Sequence, residues 1–182
     1  GVTGLIVLAC ATTFFGTPVL TFLPLFAQNV FQGGVTEYTQ LMAFAGAGAV
    51  TGALIVAWLG KFTHMGLTAL LVQFTFGMLV VAFAMTRVLW INELLLFGAG
   101  ASMVMCYAML SSLVQLIAPN EMRGRVMSIY MMAFRGGMPL GSLAAGWIAT
   151  QTSAPVVLTV NGILLSLVAA WFLLKSHGVR EL

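Results

Sequence analysis

Long apolar stretches run along this chain, and short polar or glycine-containing breaks separate them. Six stretches fall at about residues 5–26, 38–59, 67–85, 89–118, 126–150 and 155–174. Each is a continuous run and not the alternation of apolar and polar residues that is typical of a half-buried strand. A helix needs roughly 20 apolar residues to cross about 30 Å of hydrocarbon. The pattern therefore predicts six transmembrane helices with short loops, forming one bundle over residues 1–182.

The composition excludes several protein classes. Hydrophobic residues make up 61% of the chain and charged residues 6%, with no aspartate among the four acids. Soluble domains carry about 25% charged residues, and disordered chains are polar and rich in charge. A transmembrane β-barrel would show alternating strands of about ten residues. We therefore predict an all-α membrane protein, and the net charge of +3 is too small to indicate a nucleic-acid partner.

The basic residues predict how the helices are oriented. Loops two-three and four-five and the C-terminal tail contain Lys61, Arg123, Arg125, Lys175 and Arg180, whereas the remaining loops contain only Arg87. The positive-inside rule places the basic set in the cytoplasm. An even number of spans would return both ends to that side. The chain starts at Gly1 with no basic region before the first apolar run, so we expect an internal stretch of a longer protein.

Glycines recur at four-residue spacing in the second and fifth spans. The pairs are Gly48 with Gly52 and Gly137 with Gly141. Small residues at this spacing let helix backbones approach closely in lipid. Two interpretations stay open, namely tight packing alone and a surface on which helices glide past each other.

The first span carries a line of threonines and two prolines. Thr13, Thr17 and Thr21 are four residues apart and share one slowly drifting helix face. They could bond their own helix backbone or line a substrate pathway. Pro18 and Pro24 remove backbone donors and predict kinks, as expected for a helix that bends when a gate opens or closes.

The stretch PNEMRGRVMSIYMMAFRGGMPLGSLAAGWIA, Pro119 to Ala149, resembles the major facilitator superfamily. More narrowly, it is similar to the bacterial exporter branch with enterobactin-exporter-like and macrolide-efflux-like proteins. There a Pro, an acid and an Arg-Gly-Arg-Val run form a cytoplasmic loop before helix eleven. The residues that match this loop motif are Pro119, Glu121, Arg123, Gly124 and Arg125. The opening LACATTFFGTPVLTFLPLFAQNVF resembles helix seven, so the resemblance covers the chain as helices seven to twelve.

The resemblance implies one half of a secondary active transporter in the bacterial inner membrane, working by alternating access. It implies proton-coupled efflux of small amphipathic molecules of the drug or siderophore type, with no cofactor. The implied partners are the lipid bilayer, the N-terminal six-helix half, protons and a small-molecule substrate. One departure is the stretch LGKFTHMGL at 59–67, which lacks the aspartate of the superfamily's loop signature. The alternative is a non-transporting six-helix membrane scaffold or assembly subunit.

Arg135 is the one charged residue well inside a predicted span. It follows Arg125 by ten residues, which is about 15 Å of helix rise, or about 9 Å if the first turn stays in the headgroups. A charge there is costly unless it faces protein or a water-filled cavity. Pro139 also leaves a carbonyl near Arg135 without its donor. Arg135 is therefore either a snorkelling or structural residue or a cavity cation that attracts an anionic substrate.

The fourth span offers polar side chains but no catalytic group. We expect Cys106 and Tyr107 to lie along the substrate pathway, although a buried cysteine often acts as a small hydrophobe. Gly100-Ala101-Ser102 would fit an intramembrane serine protease, which needs a histidine within reach of the serine. His64 and His177 both lie outside the spans, so we predict no enzyme. No cysteine has a partner at metal-binding spacing, and no metal is expected.

Overall fold

The structure is a computed structural model that describes residues 2–60 and 64–175. Lys61, His177 and Arg180 lie outside the described residues. Within them the chain is helical, without strands, so the prediction of an all-α membrane protein is confirmed. The helices are α1 (Val2–Gly16), α2 (Pro18–Thr21), α3 (Leu23–Asn29), α4 (Val35–Leu59), α5 (Met65–Met85), α6 (Leu89–Ile117), α7 (Arg123–Gln151) and α8 (Ala154–Lys175).

The first predicted span consists of three helical pieces, α1 to α3, with breaks at Thr17 and Phe22. Pro18 is the first residue of α2 and Pro24 the second residue of α3. Proline is tolerated in a first turn because that turn's N–H groups have no helical partner. Thr17 and Phe22 keep right-handed helical backbone angles, so the three pieces continue one another across Val2–Asn29.

Five helical segments in the described part of the chain are long and apolar enough to cross a membrane. They are Val2–Asn29, Val35–Leu59, Met65–Met85, Leu89–Ile117 and Ala154–Lys175. The helix α7 is not among them, although its 29 residues correspond to a length of about 43 Å. Its three arginines and five glycines lower its hydropathy. The crossing of α7 therefore stays a prediction.

Glycines join the helices into three close pairs, of which α4 with α6 is the first. A methyl group at Gly48 would lie 2.7 Å from the carbonyl carbon of Phe97. One at Gly52 would lie 2.8 Å from the Cα atom of Ala101. Since these neighbours are backbone atoms that cannot rotate away, only glycine permits this separation of the two helices.

The other close pairs are α5 with α8 and α1 with α7. Gly77 and Gly162 face each other, and a methyl group at Gly162 would lie 2.7 Å from the carbonyl oxygen of Gly77. The helix α1 also contacts α5, α6 and α8, so it lies in the middle of the bundle. Two apolar clusters fill the interior of the bundle. Phe26 of α3 packs on Phe83 of α5 in one of them, at 4.7 Å between ring centroids, and Leu8 and Met109 belong to the other.

Candidate functional site

The helix α7 packs against α1 through one narrow face. Gly137 and Gly141 are buried there, together with Tyr130 and Ala145. A methyl group at Gly137 would lie 3.2 Å from the carbonyl oxygen of Cys10. Most of the remaining surface of α7 has no neighbour within the described bundle.

A polar line runs along a different face of α7. It consists of Ser128, Arg135 and Ser142, which we call the polar line of α7. The residues are seven apart, or about 10 Å for each two turns, so they lie above one another. Ser128 and Arg135 are exposed, and Ser142 is half-buried. The hydroxyls of Ser142 and Thr21 lie 3.1 Å apart, within hydrogen-bond distance.

Arg135 lies near the middle of α7. It is 12 residues after Arg123 and 16 before Gln151, or about 18 Å and about 24 Å of helix. Among the described residues it has no carboxylate partner within the 4.0 Å of an ion pair. Pro139 lies four residues further along the helix and leaves the carbonyl of Arg135 without its usual donor. A cation at this depth needs water, protein or a ligand around it.

The predicted line of threonines passes from the bundle interior to its surface. Thr13 is fully buried, and its hydroxyl donates to the carbonyls of Ala9 at 3.1 Å and Cys10 at 3.0 Å. Thr17 is buried at the break between α1 and α2, and its hydroxyl has no described hydrogen-bond partner. Thr21 is exposed beside Ser142. Only Thr21 could therefore touch a ligand on the exposed surface in this conformation.

Cys106 and Tyr107 point to different neighbours. Cys106 is fully buried, and its thiol donates to the carbonyl of Ala69 at 3.5 Å. The Tyr107 ring meets Phe134 of α7 edge-on at 4.7 Å between centroids. The Tyr107 hydroxyl is buried and lies near that of Thr17, without a hydrogen bond of good geometry between them. Cys106 thus acts as a packing residue, whereas Tyr107 lies under the α7 helix.

The predicted cytoplasmic loop motif forms an exposed turn and the start of α7. The Met122 N–H donates to the carbonyl of Pro119 at 3.0 Å, which closes this turn. Glu121, Arg123 and Arg125 are exposed. Basic residues in a first helical turn oppose the helix dipole, so these arginines do not serve to stabilise α7.

A cavity lies at the opposite end of the bundle from this motif. Its volume is about 640 Å³, and α3, the loop of Arg87 and the junction of α7 with α8 surround it. None of the predicted pathway residues lines it. Asn29 ends α3, whereas Arg87 and Ser153 lie in two separate loops. No spacing in the sequence therefore indicates that they meet.

The described residues include no group of three or more side chains of histidine, cysteine, aspartate or glutamate that could hold a metal ion. Cys10 and Cys106 are both free thiols.

A comparison with known protein families places this chain. A family described as transmembrane secretion effector matches residues 2–181, almost the entire chain. No curated protein matches it. The family consists of membrane transporters of the major facilitator type, which are generally not enzymes. The chain is therefore a multi-pass membrane protein of the transmembrane secretion effector family.

Proposed function

We propose that this chain forms the C-terminal six-helix half of a secondary active exporter of small amphipathic molecules, with α7 as its fifth span. It works by alternating access against an N-terminal half and is driven by the proton gradient. The observation that carries the proposal is the surface of α4 and α7. Each packs one narrow face onto its own bundle and leaves most of its other residues exposed, with Gly46 of α4 among them.

The two sides of α4 differ sharply. Leu41, Ala45, Gly48 and Gly52 are its buried residues. Its small-residue face consists of Thr39, Ala43, Gly46, Val50, Ala53 and Ala57, which follow one another at alternating spacings of four and three and are all exposed. This is the periodicity of a seam between two helices.

Gly46 separates packing within the bundle from packing against a partner. A methyl group there would meet nothing within 4 Å, in contrast to Gly48 two residues later. Glycine in a helix interior costs about 1 kcal/mol relative to alanine, and the described bundle gives no packing reason for it at this position. A second helix bundle that approaches closely would supply that reason.

Arg135 gives the pathway its charge. A lipid-facing arginine near the middle of α7 would be costly, whereas one that faces a water-filled cavity between two halves would be solvated. The low-dielectric walls of such a cavity focus the field of the guanidinium, so it attracts an anionic group more strongly than it would in bulk water. Ser142 and Thr21 lie further along the same surface and offer hydroxyls to the polar part of a substrate.

Proton coupling is assigned to the N-terminal half. Among the described residues, glutamate occurs only near helix ends: Glu37, Glu93 and Glu121. Glu37 accepts a hydrogen bond from the Gly34 N–H at 2.6 Å, which caps α4. Since no carboxylate lies deep in a described span, this half contributes the cation and the other half the proton carrier.

Variants of Arg135 test the proposal in the intact protein. Arg135→Gln should abolish export of anionic or zwitterionic substrates, because the charge is lost. Arg135→Lys should keep partial export, since it retains the charge but not the planar fork. Leu140→Gln is the matched control, because it places the same amide on another exposed face of α7.

Export is measured as efflux rate per amount of protein in the membrane. If Arg135→Gln exports as fast as the parent, Arg135 is a structural or headgroup residue and the pathway assignment is wrong. If Leu140→Gln is equally inactive, the loss follows from any amide on α7 and not from the missing cation.

A further inference from the structure

The cavity at the Arg87 end of the bundle has the size of a ligand site. Its volume of about 640 Å³ falls within the range of roughly 300–1,000 Å³ that is typical of small-molecule pockets. A second cavity of about 340 Å³ adjoins it and shares Val30, Arg87 and Pro155. The Arg87 side chain therefore borders both cavities.

The walls of the larger cavity are divided chemically. Phe22, Leu25, Phe26 and Val30, all from α3 or its end, form an apolar side. The polar side consists of Asn29, Arg87, Thr150, Thr152 and Ser153. A ligand that fits this wall has an apolar body and a polar head.

Arg87 is the single charged residue among those that line either cavity. No acid lines them, and Arg87 has no described carboxylate within ion-pair distance, Glu93 included. Its side chain is exposed to the cavity space. The complementary head group is therefore an anion, which a guanidinium binds through two parallel hydrogen bonds.

The backbone that carries Arg87 is held in place on both sides. The Asn92 side chain is fully buried and donates to the carbonyl of Thr86 at 2.9 Å. The Thr86 N–H donates to Ala82, and the Asn92 N–H donates to Val88. Because only three residues separate α5 from α6, these bonds fix the origin of the Arg87 side chain before any ligand binds. A fixed origin lowers the entropy cost of binding.

We infer that the cavity at Arg87 binds an amphiphile with one negative head group, a carboxylate, phosphate or sulfate. The head binds Arg87, and the apolar body packs against the α3 wall. The inference goes beyond the proposed export, because the binding requires neither a proton gradient nor Arg135. The same chemistry could come from a phospholipid of the bilayer or from an amphiphile dissolved in water.

The test measures binding of dodecanoate and of uncharged dodecanol to the purified intact protein in phosphatidylcholine nanodiscs. Arg87→Gln should weaken dodecanoate binding about tenfold or more, because a charge-assisted hydrogen bond is lost. Arg87→Lys should weaken it less, and dodecanol binding should not change. Lys175→Gln is the control, since it removes an exposed cation from the opposite end of the bundle.

A second variant fills the cavity and leaves Arg87 intact. Ala149 is a half-buried lining residue of α7, and Ala149→Phe should reduce the binding of both dodecanoate and dodecanol. Thermal unfolding of each variant shows whether it is still folded. The inference is overturned if Arg87→Gln or Ala149→Phe binds dodecanoate as tightly as the parent, or if Lys175→Gln loses as much as Arg87→Gln.

The source of the ligand is distinguished by replacing part of the phosphatidylcholine with phosphatidylglycerol. If the anionic lipid displaces dodecanoate from the parent and from Lys175→Gln to the same extent, the site also takes bilayer head groups. If it displaces nothing, the ligand enters from water. Both results support an anion site at Arg87, and failure of binding to depend on Arg87 refutes it whatever happens to export.

Discussion

Gly141 is the position at which the contact between α1 and α7 is tightest, and Gly141→Ala tests it. The added methyl group would lie 2.8 Å from both the Cα atom and the carbonyl carbon of Phe14, and closer still to its carbonyl oxygen. Carbon atoms pack best at about 3.5–4.0 Å, so the helices would have to separate by about 1 Å. Overpacking of this kind costs about 1–3 kcal/mol.

Two further features make the contact difficult to relax. Pro18 has no N–H to donate to the Phe14 carbonyl. The Phe14 oxygen therefore faces Gly141 without its usual hydrogen bond within the helix. Gly137 lies one turn away against Thr13 and Cys10, and it would be pulled from its contact by the same separation. The estimate for Gly141→Ala therefore belongs in the upper part of the range.

The matched control is Gly146→Ala on the same helix. A methyl group at 146 would meet nothing within 4 Å, and alanine favours a helix over glycine by about 1 kcal/mol. Thermal unfolding of the intact protein in detergent, followed by tryptophan fluorescence, compares the two. We expect Gly141→Ala to unfold several degrees below the parent and Gly146→Ala to unfold at or above it. Equal midpoints for the two variants would refute the packing argument.

Three further predictions concern orientation, burial and the partner surface. In a background without the native cysteines, Ser153→Cys should react with a membrane-impermeant maleimide on intact cells and Asn120→Cys should not, because the basic loops are expected inside; the reverse pattern would invert the topology. Native Cys106 is fully buried and should react with a small maleimide only after unfolding, so rapid labelling of folded protein would contradict its position. Gly46→Leu should stop export and leave the unfolding temperature unchanged. Leucine at its exposed neighbour, Ala47→Leu, should change neither export nor the unfolding temperature. Normal export by Gly46→Leu would show that no partner packs on this face.

Much of this fold could be predicted from the sequence alone. The helix ends lie within three residues of the apolar runs, as at Val35 against the predicted 38 and Lys175 against 174. Lipid explains this accuracy, because a backbone in hydrocarbon must satisfy its hydrogen bonds within one helix. The length and position of an apolar run therefore fix a helix without reference to its neighbours. The helix α7 was also predicted, but its arginines and glycines reduce its hydropathy, so its crossing of the membrane stays a prediction.

The family resemblance also lay in the sequence, in the stretch from Pro119 onward and in the proline-interrupted first span. It indicated a transporter, and the family match over residues 2–181 agrees with that. It did not indicate which polar residues are accessible. Thr13 and Thr21 look equivalent in sequence, yet Thr13 lies inside the α1–α7 contact and Thr21 on the surface.

Only the tertiary structure decided which surfaces are buried. In water a helix turns its apolar face inward, so its periodicity shows where the core lies. In lipid both the inner and the outer surface are apolar, and Leu41 is fully buried while Leu54 on the same helix is 65% exposed. Helix packing decides that Gly48 is buried and Gly46 exposed, and it brings Arg87 beside residues that are distant in the sequence. In a membrane protein no hydrophobic periodicity along the chain indicates these contacts.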